Sequence, residues 1–86
     1  MPSRSVTLAA AMTPITSFDA EREVIHVISP ATNANDTWVT DQGTLPLFIV
    51  PPGAHLVILR KDGYHTELAW YALNAGAETV YVGEHK

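Results

Sequence analysis

Eighty-six residues make one small domain, of a size that buries only roughly 60% of the surface its unfolded chain exposes. The chain has no cysteine, which excludes disulfides, thiolate metal sites and thiol nucleophiles, so any help for a thin core must come from a partner chain. A net charge of −4 argues against a phosphate-tracking face and hence against nucleic acid as a partner. Only 16% of residues are charged, against about 25% in ordinary domains, so much of the surface is neutral or apolar.

Taken from the start of the chain, Arg4 followed by the apolar stretch 6–12 has the outline of a secretory leader. The stretch is short, contains Thr7 and rests on one positive charge, so no cleavage is expected. No run approaches the ~20 apolar residues of a membrane helix, and no membrane partner is expected. Residues 6–10 read as an edge strand. Thr13-Pro14-Ile15 interrupts any regular element, and residues 17–23 read as a loop or one helical turn capped by Ser17. Residues 1–22 are therefore expected to form an N-terminal arm or edge segment, and residues 23–86 the folded domain.

From residue 23 onward the apolar pattern has a short period. Strands are expected over 23–28, 37–40, 45–50, 55–61, 64–73 and 78–82. They are separated by Ser29-Pro30, the polar loop 32–36, Asp41-Gln42-Gly43, Pro51-Pro52-Gly53, Asp62-Gly63 and Asn74-Ala75-Gly76. Turns at roughly 8–12-residue spacing predict an all-β chain: a small antiparallel sandwich or barrel of about six to seven short strands with an irregular N-terminal arm.

Two turns have a mechanism. In Pro51-Pro52-Gly53-Ala54 a proline presets φ and Gly53 supplies the positive φ of a type II turn. Asp62-Gly63 reads as a two-residue type I′ hairpin. That register places Val57 against Leu68 and His55 against Trp70 on a core face, with Leu59 opposite Thr66. The opposite face then carries Leu56, Ile58, Ala69 and Tyr71, with Arg60 and Glu67 as diagonal neighbours. This apolar strip, together with Val6 and Leu8 of the arm, is the expected protein interface. The alternative is that the strip packs against a second sheet.

Candidate chemistry is sparse. His26, His55, His65 and His85 show no metal-pair spacing, and each reads as a strand or tail residue. Asp19, Glu21 and Glu23 alternate as a solvated approach to a strand. Asn33, Asn35 and Asp36 put oxygens in one loop but lack the spacing, glycine and closing glutamate of an EF-hand. Asn35-Asp36-Thr37 is formally a glycosylation acceptor. No nucleophile elbow, phosphate loop or paired carboxylates stand out. The aromatics Trp38, Tyr64, Trp70, Tyr71 and Tyr81 read as core or interface anchors. The expectation is a protein with no catalytic residues, no cofactor, no metal and no small-molecule substrate.

Two resemblances bear on the setting. Gly43-Thr44-Leu45-Pro46-Leu47 through Pro52-Gly53-Ala54-His55, then Lys61-Asp62-Gly63-Tyr64 and Ala75-Gly76, resembles a PEGA-type repeat. That implies a small β-sandwich of a bacterial envelope protein, binding a surface or carbohydrate. Val27-Ile28-Ser29-Pro30-Ala31-Thr32 followed by Asn35-Asp36-Thr37 is similar to small virion proteins of tailed bacteriophages, of the decoration or cement type. That implies a structural protein in a virion, binding capsid or assembly subunits and copies of itself through extended arms. The low charge, thin core and N-terminal arm agree with the second implication, which is the expected function, with the PEGA-like module as the alternative. Deleting residues 1–19 should abolish attachment in the first case and change nothing in the second.

Overall fold

The computed structural model describes residues 3–41 and 47–86, with Ser3 described by its backbone alone. Among them are eight strands: β1 (Ser3–Thr7), β2 (Thr13–Pro14), β3 (Val24–Ile28), β4 (Thr37–Thr40), β5 (Phe48–Val50), β6 (His55–Leu59), β7 (Tyr71–Leu73) and β8 (Thr79–His85). One 3-10 turn (Arg60–Asp62) is the sole helical element described. All pairings are antiparallel. They build two four-stranded sheets, β1-β8-β3-β6 (sheet A) and β2-β7-β4-β5 (sheet B), and the result is a small β-sandwich.

Alternation along the strands explains which side of each sheet is dry. In β3, Ile25 and Val27 are fully buried while Ile28 is exposed, and in β8 Val80 and Val82 are buried while Tyr81 is exposed. Together with Ile58 of β6 and Leu8 they meet Val39, Val50, Ala72, Trp70 and Ile15. Each Val, Leu or Ile side chain among them contributes about 1.5–3 kcal/mol when taken out of water. Trp70 is the largest of them. Its indole N–H donates to the His65 carbonyl at 3.0 Å, and its backbone N–H donates to Thr16 Oγ1 at 2.9 Å. Phe48 stacks on it with ring centres 6.3 Å apart.

The N-terminal stretch supplies one of the two edge strands of each sheet. β1 pairs with β8, and β2 pairs with β7. Pro14 in β2 fits there because an edge strand tolerates a missing N–H. The expected edge strand lies at Ser3–Thr7 rather than 6–10. Leu8 and Ile15 are core residues, each 2% exposed. Residues 17–23 form a loop turned at Asp19, whose side chain accepts the Glu21 N–H and whose carbonyl accepts the Arg22 N–H.

The Pro51–Gly53 turn has the expected form: Gly53 has φ +84°, and the Ala54 N–H closes on the Pro51 carbonyl at 3.0 Å. The 45–50 strand is seen as β5, and its first two residues lie outside the described residues, as do Gln42 and Gly43.

The hairpin at Asp62-Gly63 is corrected. Gly63 does have positive φ, +96°, but it ends the 3-10 turn, and the chain then passes to the other sheet. Residues 64–70 are a loop, and β7 begins at Tyr71. β6 pairs with β3, Ile58 opposite Ile25 and His55 opposite Ile28. The inner and outer faces of β6 are therefore the reverse of the expected ones: Ile58 points into the core, and Val57 is 43% exposed. Thr66 and Trp70 are buried as expected, by way of the loop.

Candidate functional site

The six residues expected at an interface do not share a surface. Ile58 and Leu8 are core, and Val6 and Leu56 are half-buried against it. A partner cannot reach the first two without opening the sandwich, because a second sheet covers them. Ala69 lies in the 64–70 loop, and Tyr71 is half-buried on sheet B. Arg60 and Glu67 are neighbours, with Arg60 Nη2 3.6 Å from Glu67 Oε1, while the same guanidinium binds Glu23 at 2.7 Å.

What the two outer faces do carry follows from strand order. On sheet B, Trp38 stands between Ile49 of β5 and Leu73 of β7 in one cross-strand row. Trp38 is 41% exposed and Ile49 58%. Three large apolar side chains side by side on an open face are the arrangement that a neighbouring surface covers.

On sheet A the outer residues of β3, β6 and β8 bring three histidines together. His26 lies opposite Val57 and Gly83, while His55 and His85 are one step diagonal on either side. His26 Nδ1 and His55 Nε2 are 2.8 Å apart in a ring-to-ring hydrogen bond. His85 meets the His26 ring edge-on, with centres 5.1 Å apart. Partial burial, then the charges that His55 and His85 would carry, hold the His26 imidazole below its ordinary pKa. Ile28, Val57 and Tyr81 are exposed apolar residues of the same face. His65 stands apart, 3.6 Å from Glu67.

A third feature is an open cleft of about 570 Å³ lined by Arg4, Ile15, Thr16, Phe18 and Glu84. Its charges serve the fold. Arg4 donates to the Ile15 carbonyl and pairs with Glu84. Glu84 also binds Arg22, 3.1 Å away. Arg22 is 1% exposed and donates to the Thr66 carbonyl at 3.1 Å and the Ser17 carbonyl at 2.7 Å.

The 33–36 loop is turned toward β8. The Glu78 carboxylate accepts the backbone N–H groups of Ala34 at 2.7 Å and Asn35 at 2.9 Å. Asn33 donates to Ser29 Oγ and the Thr79 carbonyl. Asn74 links the Asn35 carbonyl and Thr37 to Gly76 and Glu78.

Sequence reasoning missed the histidine diagonal and the Arg22–Glu84 pair. The only signal for the diagonal is that His26 and His55 occupy outward positions once β3 and β6 are paired. Among the described residues no helix is long and apolar enough to cross a membrane. Comparison with protein families, curated proteins and solved structures finds no family model, relative or structure that matches the chain.

Proposed function

We propose that this is a non-catalytic structural protein, a small sandwich that binds protein subunits and copies of itself in an assembly of the capsid-stabilising kind. The observation that carries the reading is the Leu73–Trp38–Ile49 row on the open face of sheet B. Exposed indole and aliphatic groups held rigidly by strands lose little conformational freedom on docking, which suits them to anchoring a protein contact. The low charge of the chain supports the same reading, since interface centres are depleted of charge. A virion is the setting in which such a subunit would work.

Light scattering across a concentration series tests the reading. The wild-type chain should form a discrete oligomer, and Trp38→Ser with Ile49→Ser should reduce it to a folded monomer. A wild-type chain that stays monomeric at every concentration would count against self-association. If that monomer instead binds an isolated polysaccharide through Trp38, the PEGA-like binding module replaces the structural reading.

A further inference from the structure

The geometry points to a divalent transition-metal chelate on the outer face of sheet A, made by His26 Nδ1 and His55 Nε2. The two nitrogens belong to adjacent strands, held in register by the pairing of Val27 with Leu56 and Ile28 with His55. They are 2.8 Å apart. Two metal–nitrogen bonds of about 2.0 Å set cis nitrogens about 2.8–3.3 Å apart, so rings held this close on adjacent strands can turn to share one ion. A pair of imidazoles without thiolate suits Cu(II) first, at the top of the affinity order of divalent metals for such donors, and Ni(II) after it.

The rings now face one another, one donating and the other accepting. To chelate, both must turn outward so that their lone pairs converge above the sheet. The donor ring then shifts its proton to its other nitrogen, so ligation by the two neutral rings releases no proton. The surroundings permit this. His55 is exposed and His26 half-exposed. Gly83, the β8 residue opposite His26, puts no side chain of its own against the ring. His85 supports the far edge of the His26 ring and is a positioning residue, not a ligand.

Among the described residues no three histidine, cysteine or acidic side chains converge on one point, so water completes the coordination and the site is labile. The nearby carboxylates are engaged elsewhere: Glu84 with Arg4 and Arg22, and Glu23 with Arg60. An all-imidazole donor set without carboxylate selects against Mg²⁺ and Ca²⁺, which take oxygen ligands.

Calorimetric titration of the full chain with CuCl₂, NiCl₂ and MgCl₂ near neutral pH tests the proposal, alongside His26→Gln, His55→Gln, His85→Gln and His65→Gln. These side chains lie on the surface, and a thermal melt of each variant verifies the fold. The wild type should bind one Cu(II) or Ni(II) per chain and no Mg(II). His26→Gln and His55→Gln should each weaken binding at least tenfold, His85→Gln less than threefold, and His65→Gln not at all. Copper bound by two imidazole nitrogens should also show in its electron paramagnetic resonance spectrum, and lose one nitrogen in either ligand variant. Absence of saturable binding, or binding that survives both His26→Gln and His55→Gln, would overturn the chelate.

Discussion

Arg22 is a charged residue in a stretch of alternating charges, yet it is 1% exposed. Burial of a guanidinium is tolerable only when its donors are occupied and its charge is matched. Here Thr66, Ser17 and Glu84 meet both conditions, and Thr66 Oγ1 in turn donates to the Arg22 carbonyl at 2.6 Å. Arg22→Ala should therefore cost about 3–5 kcal/mol, the usual result of breaking a buried pair on one side. Arg22→Met combined with Glu84→Gln should cost clearly less, because no buried charge is left alone. Chemical denaturation of the two variants checks this, and equal losses would show that the hydrogen bonds to the Thr66 and Ser17 carbonyls, absent from both variants, outweigh the charge pair. Nothing in the local sequence marks Arg22 for burial. Asp19, Glu21 and Glu23 beside it read as a solvated approach, and apart from the Ser17 carbonyl the groups that receive Arg22 come from the 64–70 loop and β8. The same holds for His26 and His55, whose meeting depends on a pairing between distant strands.

At the scale of elements, the features legible in advance are those set by neighbouring residues. The β-branched run 24–28 is a strand because its side chains suit a pleated, half-buried surface, and Pro51-Pro52-Gly53 turns because its φ values are preset. The error at β6 has a physical source. Gly63 supplies a positive φ whether it closes a hairpin or ends a 3-10 turn, so glycine there identifies a conformation and not a partner. Choosing the wrong partner strand reversed the faces and placed Ile58 on a surface it never reaches. The join between the 33–36 loop and β8 shows another non-local contact, and it carries its own pH dependence. The Ala34 N–H foremost, with Asn35 adding to it against the opposing effect of desolvation, holds the Glu78 carboxyl below its ordinary pKa. A carboxylate with a depressed folded pKa contributes stability above its unfolded pKa and loses that contribution as pH falls through the folded value. Glu78→Gln should accordingly be less stable than wild type at neutral pH, with the gap closing in acid below the ordinary carboxylate range. Paired thermal melts over a pH series measure it. A gap independent of pH would assign the effect to hydrogen-bond geometry instead of charge.

Over the whole molecule, the chain passes repeatedly between sheets. β1 lies in sheet A, β2 in B, β3 in A, β4 and β5 in B, β6 in A, β7 in B and β8 in A. Among the described strands only β4 and β5 pair as sequence neighbours, so the remaining ladders join segments far apart in sequence, at the cost of closing long loops. The ends of the chain meet in one of these ladders, where Thr7 faces Thr79 and Arg4 faces Val82. Removing residues 1–16 would strip one edge strand from each sheet and take Leu8 and Ile15 from the core. Losing those two side chains alone forfeits about 3–6 kcal/mol of burial, a large part of the roughly 4–13 kcal/mol expected for a domain of this size. The truncated chain should show no cooperative melt and no near-ultraviolet circular dichroism from Trp70, where the full chain should show both. That outcome bears on function, because deletion of the N-terminal stretch would then abolish binding by unfolding the sandwich, whether the protein is an assembly subunit or a solitary module. Substitutions at Trp38 and Ile49, whose side chains lie outside the core, leave the fold intact and can separate the two. A truncated chain that kept a sharp transition would instead mean that β1 and β2 are dispensable edges, and would return the N-terminal segment to the role of an arm.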